Sequence, residues 1–177
     1  MGVDITAYKG ARKIDCVFDI DGEPIDPQTR EPIEDDYVRP WVNPDFPGRA
    51  DDIESRSVYA YDEGDSMSMG YIGYFQWRNE LARIAGYPLG KFREFGADRP
   101  SYCAACWNGA TGPFSELINF SDSEGTIGGA VAAKLAKDFA DFHERAHASD
   151  DAGFIRSYDK LRALFDLAAQ GGFVRFH

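Results

Sequence analysis

The sequence predicts a single α+β domain, with a small, mostly antiparallel sheet packed against about four helices. Strand-like runs gather in the first 61 residues and return at the C-terminus. Helical periodicity dominates from residue 71 to residue 170. No strand–helix–strand alternation of the parallel α/β kind is present. A chain of 177 residues is one domain and buries a sizeable core without disulfides or metals.

Val3–Tyr8 alternates apolar with polar residues and reads as a strand. Ile14–Ile20 reads as a second, and Asp21-Gly22 turns it into a hairpin with Glu23–Ile25. Six prolines, Pro24, Pro27, Pro32, Pro40, Pro44 and Pro47, exclude a helix or central strand up to about Asp52. Residues 21–56 are therefore a Pro- and acid-rich loop or arm within the domain. Ser57–Tyr61 reads as a strand, and Asp62–Ser68 as a polar break.

Tyr71–Ala85 carries Tyr74, Trp77, Leu81 and Ile84 at helical spacing, with Gly86 as its C-cap. Leu89–Gly112 reads as irregular, and Phe114–Phe120 as a short helix. Ala130–Ala146 reads as one helix with the stripe Val131, Leu135, Phe139, Phe142 and Ala146. Asp150 or Asp151 caps a last helix that runs to about Gln170 and ends at Gly171-Gly172. Phe173–His177 is a closing strand, expected to pair with the N-terminal one.

Charge is unevenly spread. Residues 1–66 hold 17 Asp and Glu against 7 Lys and Arg, so nearly all of the net charge of −11 lies there. Such a surface repels phosphate backbones and argues against direct nucleic-acid binding. No stretch approaches the ~20 apolar residues of a membrane span, and the N-terminus lacks a secretory pattern. Three cysteines, a small odd number, suit a reducing, cytoplasmic setting.

Four features bear on chemistry. The run Phe114–Asp141 joins two apolar, helix-like segments by the loop Ser121–Gly129. Asp122, Glu124 and Gly125 resemble part of a calcium loop, but Phe120 and Val131 stand where oxygen ligands are required. The loop suits instead a small anionic or polar ligand, held at a helix N-terminus beginning near Gly128. Trp77, Arg78, Trp107 and Asn119 could complete a pocket by stacking and cation–π contact, although Tyr74 and Trp77 share the apolar stripe and read better as core.

His143-Glu144-Arg145-Ala146-His147 matches H-E-x-x-H, in which two histidines on one helical face hold zinc and the glutamate activates water. Arg145 is foreign to that pattern and no third ligand is obvious: Asp150, Asp151 and Asp159 are available but also read as helix cap and surface, and a boundary histidine also explains His143. Cys103 and Cys106 form a lone C-x-x-C, which packing beside Trp107 accounts for.

Several blocks, MGVDITAY, GYFQWRNELARIAGY, PFSELINFSDSEGTIGG with AAKLAKDFADF, and LFDLAAQGGFVRFH, together resemble an uncharacterised family of small bacteriophage and prophage proteins. They cover over half the chain, in order, and residues 20–56 fall outside them. The resemblance implies a phage or prophage gene product working in the bacterial cytoplasm and transfers no catalytic residues. Neither C-x-x-C nor H-E-x-x-H belongs to its pattern.

Three functions follow as expectations. The first is a non-enzymatic accessory protein, without a cofactor, that binds a small charged ligand or a host protein, for example to inhibit a host process or defence. The second is a zinc-dependent hydrolase using His143, Glu144 and His147. The third is an acidic protein–protein module acting through the arm.

Overall fold

Val3, Ile5 and Ala7 alternate along β1 (Gly2–Lys9) and bury one face of the central sheet. The computed structural model describes residues 2–94, 96–120 and 125–177. Short pairings follow: β2 (Arg12–Lys13), β3 (Val17–Phe18), β4 (Pro24–Ile25), β5 (Tyr37–Val38) and β6 (Tyr59–Ala60). Then come β7 (Glu63–Gly70), α1 (Tyr71–Ala85), β8 (Gly90–Glu94), β9 (Ala97–Ser101), α2 (Ala104–Trp107) and α3 (Ser115–Asn119). The chain closes with β10 (Gly125–Ile127), α4 (Gly129–Asp141), α5 (His143–His147), α6 (Ala152–Ala168) and β11 (Phe173–Phe176).

The protein is an α+β fold. Its main sheet has the order β10-β11-β1-β7, every neighbouring pair antiparallel. The closing strand pairs with β1 as expected, Ile5 opposite Phe176 and Ala7 opposite Val174. Those four side chains face a core built with α1, α3, α4 and α6, including Leu81, Leu117, Leu135, Phe139 and Phe165. Tyr8 and Phe173, one residue out of phase, face the other way and meet Val38 and Tyr59 of the Pro-rich segment.

That segment is irregular, as its prolines dictate, yet it is docked on the domain. Thr126 Oγ1 donates to the Trp41 carbonyl at 2.9 Å, and the Gly128 N–H donates to the Arg49 carbonyl at 2.8 Å. The Phe46 and Phe120 rings meet edge to face, 4.8 Å apart.

Five local expectations are corrected. Asp62–Ser68 is no break: Glu63–Gly70 pairs with β1 along its whole length, because backbone hydrogen bonding does not require apolar side chains. Leu89–Gly112 contains the β8–β9 hairpin and α2. In Ile14–Ile20 only Val17–Phe18 is strand, although its hairpin with Pro24–Ile25 forms. Within Ser121–Gly129, Gly125–Ile127 is a buried edge strand in place of a loop, and the φ of +146° at Gly125 is one that side-chain-bearing residues rarely adopt. The single helix expected over Ala130–Ala146 is two, α4 ending at Asp141 and α5 starting at His143, with Phe142 between them at φ −101°, ψ 5°.

Candidate functional site

Of the residues proposed around the glycine loop, the described ones have separate surroundings. Arg78 is 1% exposed, donates from Nη1 to the Ile118 carbonyl at 3.0 Å, and lies 4.7 Å from the centre of the Tyr74 ring. Tyr74 and Trp77 are core, as their helical stripe indicates. Trp107 packs in a separate aromatic group, 5.1 Å from Phe92 and 6.3 Å from Phe75. Asn119 is half-buried at the end of α3, and Gly125 is buried in β10. Asp122 and Glu124 lie outside the described residues. Trp77 borders a cleft of about 270 Å³ between α1 and the start of α6, lined also by Gln76, Glu80, Asp151 and Ser157.

The helix N-terminus at Gly128 does attract an anion, and the chain itself supplies it. Asp52 Oδ2 accepts from the Gly129 N–H at 2.8 Å and from the Ala130 N–H at 3.3 Å. The expectation of an open anion position is thereby corrected: a carboxylate of the acidic segment caps α4. A Cβ at Gly128 would fall 1.9 Å from Asp52 Oδ1, so a side chain there would push the capping carboxylate aside.

The cysteine pair is also accounted for by packing. Cys103 and Cys106 are buried free thiols at and within α2. Burial pushes the Cys103 thiol up to about 11 and raises Cys106 as well, which opposes a redox or nucleophilic role. At pH 8 a thiol of pKa about 11 is roughly one part in a thousand thiolate. A thiol-specific disulfide reagent applied to the folded protein is therefore expected to modify half-exposed Cys16 first. Cys103 or Cys106 reacting as fast as Cys16 would contradict this account.

The histidine pair has a different surrounding. Starting α5 after Phe142 leaves His143 and His147 one turn apart on one face, their ring centres 4.1 Å apart. Buried Ala146 seats the helix on the core. Beside it, Tyr158 of α6 donates its hydroxyl to the Phe139 carbonyl at 2.6 Å, fixing α6 against the end of α4. Burial raises the Tyr158 phenol, so it remains a neutral donor at ordinary pH. The next residue, Asp159, reaches His147, with 2.8 Å between Oδ1 and Nε2.

One ligand atom from each of His143, His147 and Asp159 falls within 4.8 Å of the others, the one grouping of metal-ligand type found among the described residues. His143 Nδ1 is shielded from solvent and has no hydrogen-bond partner there. Arg145, foreign to the zinc-peptidase pattern, stacks its guanidinium 5.2 Å over the Phe142 ring. It projects roughly 160° around the helix from both histidines. Glu144 is exposed.

Asp159 is one of three aspartates that the sequence offered as a third ligand, each with a reading as helix cap or surface beside it. Its spacing from the histidines follows no motif, because the packing of α6 on α5 brings it there. No family model, no curated protein and no solved structure matches this chain.

Proposed function

We propose that the protein binds one divalent transition-metal ion through His143, His147 and Asp159. The observation that carries this reading is the convergence of two imidazoles and a carboxylate from two helices within 4.8 Å. Two nitrogens and one oxygen suit zinc, nickel, cobalt or ferrous iron better than calcium or magnesium. Tetrahedral ligands at ~2.0–2.1 Å from zinc stand about 3.3 Å apart, so small rotations of these side chains would bring them to ligating distance. His147 and Asp159 have room to rotate, with side chains 37% and 47% exposed.

A bound ion would polarise a water or an anionic group at the coordination position that three protein ligands leave open. What the chain contributes is a platform: α5 presents both imidazoles, and α6 presents the carboxylate. The cleft described above lies elsewhere, and Glu144 is exposed beside the pair, so binding is supported more directly than hydrolysis. The likeness to phage and prophage proteins supports placing this metal-binding role in an accessory protein of the bacterial cytoplasm.

Titrating the metal-stripped protein with cobalt(II) or zinc(II), followed by calorimetry and the visible cobalt spectrum, tests this. One equivalent is expected to bind. Removing one ligand, as His147→Ala or Asp159→Ala, is expected to weaken binding by at least the ~10–100-fold that losing an outer-shell partner costs. Glu144→Gln is expected to leave affinity unchanged. No stoichiometric binding, or binding unaffected by His147→Ala and Asp159→Ala together, would overturn the reading.

A further inference from the structure

The main sheet ends on one side with β7, an eight-residue strand with only β1 beside it. On the far side of β1, Asp4 and His177 exchange both backbone hydrogen bonds, at 2.8 and 2.9 Å. Backbone groups of an antiparallel strand alternate in direction, so Asp4, Thr6 and Tyr8 point toward β11. Val3, Ile5, Ala7 and Lys9 therefore point toward β7, where their partners are Met69, Met67, Asp65 and Glu63. Gly64, Ser66, Ser68 and Gly70 are left with their amides directed away from the sheet, and all four residues are exposed.

Their hydrogen bonding agrees. Among the described residues no backbone hydrogen bond from a loop or turn reaches Gly64, Ser66 or Ser68, whereas Gly70, as N-cap of α1, offers its carbonyl to the first turn of that helix. The Ser66 N–H is met only by the neighbouring Asp65 carboxylate, at 2.8 Å. Natural edge strands are commonly guarded by proline, charged side chains, a bulge or a covering element. β7 contains no proline and is paired without interruption over Glu63–Gly70; its two charges, Glu63 and Asp65, are paired with Lys9 and Lys160 of the same chain, and Ser66–Gly70 carries none.

We propose that β7 is a docking edge for a second copy of this chain, the two β7 strands pairing antiparallel about a two-fold axis at Met67. The outward-directed set is symmetric about that residue: Ser66 of one copy lies opposite Ser68 of the other, and Gly64 opposite Gly70. The acidic residues select this register. With the axis at Met67, Asp65 faces Met69 of the second copy and Glu63 faces Tyr71, so no carboxylate opposes another. Sliding the axis to Asp65 sets the two Asp65 carboxylates against each other, which is unfavourable for a directly opposed pair. Inside each copy Asp65 is already neutralised by Lys160 at 2.6 Å, and Glu63 lies 3.5 Å from Lys9. The pairing joins two four-stranded sheets into one continuous sheet through an isologous contact.

Sedimentation equilibrium of the full chain across the micromolar range tests the proposal, together with amide hydrogen exchange at Gly64, Ser66, Ser68 and Gly70. The mass is expected to double with concentration, and the four amides to slow as it does. Ser66→Pro removes an N–H that β1 does not use, so it is expected to keep the circular dichroism of the parent and stay monomeric. Ser68→Pro gives the same test at the opposing position. A parent protein that remains monomeric with fast exchange at these amides would overturn the proposal. So would a folded Ser66→Pro or Ser68→Pro variant that dimerises as the parent does.

Discussion

Arg78→Ala is expected to destabilise the fold by about 3–5 kcal/mol, the sum of a large-to-small cavity and an abandoned buried acceptor. The side chain is 1% exposed and stacks on Tyr74, so truncation opens a cavity in the packed interior. It also leaves the Ile118 carbonyl without the donor now 3.0 Å away. For a chain of this size the loss corresponds to a fall of roughly 10 °C in melting temperature. Arg78→Met restores much of the volume but not the donor, and is expected to fall between parent and alanine variant. This separates a structural arginine from a ligand-binding one. An Arg78→Ala protein that melts within about 2 °C of the parent would show that the residue is not part of the framework.

Gly172→Ala is expected to cost at least about 3 kcal/mol, at the upper end of overpacking. A Cβ there would sit 1.7 Å from the Tyr8 carbonyl oxygen, 2.6 Å from its carbon and 3.0 Å from Lys9 Cα. All three are backbone atoms of the central strand, so relief requires β1 and β11 to part. The neighbouring glycine gives the contrast. Gly171 has open space around its Cβ position but a φ of +79°, so Gly171→Ala carries only the ~1–2 kcal/mol of a left-handed conformation. Urea unfolding of both variants measures the difference. Equal stabilities would mean that the close approach at Gly172 is relieved cheaply.

The helices were legible because their signals are local. Tyr71–Ala85 matches its expected range, and Gly86 closes it in the left-handed region, donating to the Ala82 and Arg83 carbonyls. Asp151 caps α6 through Oδ1, accepting from Gly153 at 2.8 Å and Phe154 at 3.0 Å. β7 was hidden because EGDSMSMG alternates apolar with polar residues only at Met67 and Met69; the rest of its strand character comes from a partner about sixty residues earlier. The break at Phe142 was hidden because Phe142 continues the apolar stripe and packs on Phe114, 5.5 Å away, just as a helical residue would.

The candidate site divides in the same way. His143 and His147 could be paired from their spacing, since one helix holds both. Asp159 could not be singled out from Asp150 and Asp151, because its place depends on how α6 lies against α5. At the glycine loop the reasoning from helix electrostatics found the right charge and the wrong owner. Helix N-termini favour anions wherever they come from, and nothing in SDSEGTIGG announces a carboxylate more than seventy residues upstream.

Asp52 in effect makes the acidic segment a tethered inhibitor of its own helix. An anion free in solution must compete with one already held on the same chain, whose effective concentration is of millimolar order even for a slack tether. The tether here is short, because the Gly128 N–H grips the Arg49 carbonyl three residues before that carboxylate. A dissolved phosphate therefore meets a position that the fold has saturated from within, and the electrostatics of α4 serve to hold the Pro-rich segment closed over the sheet.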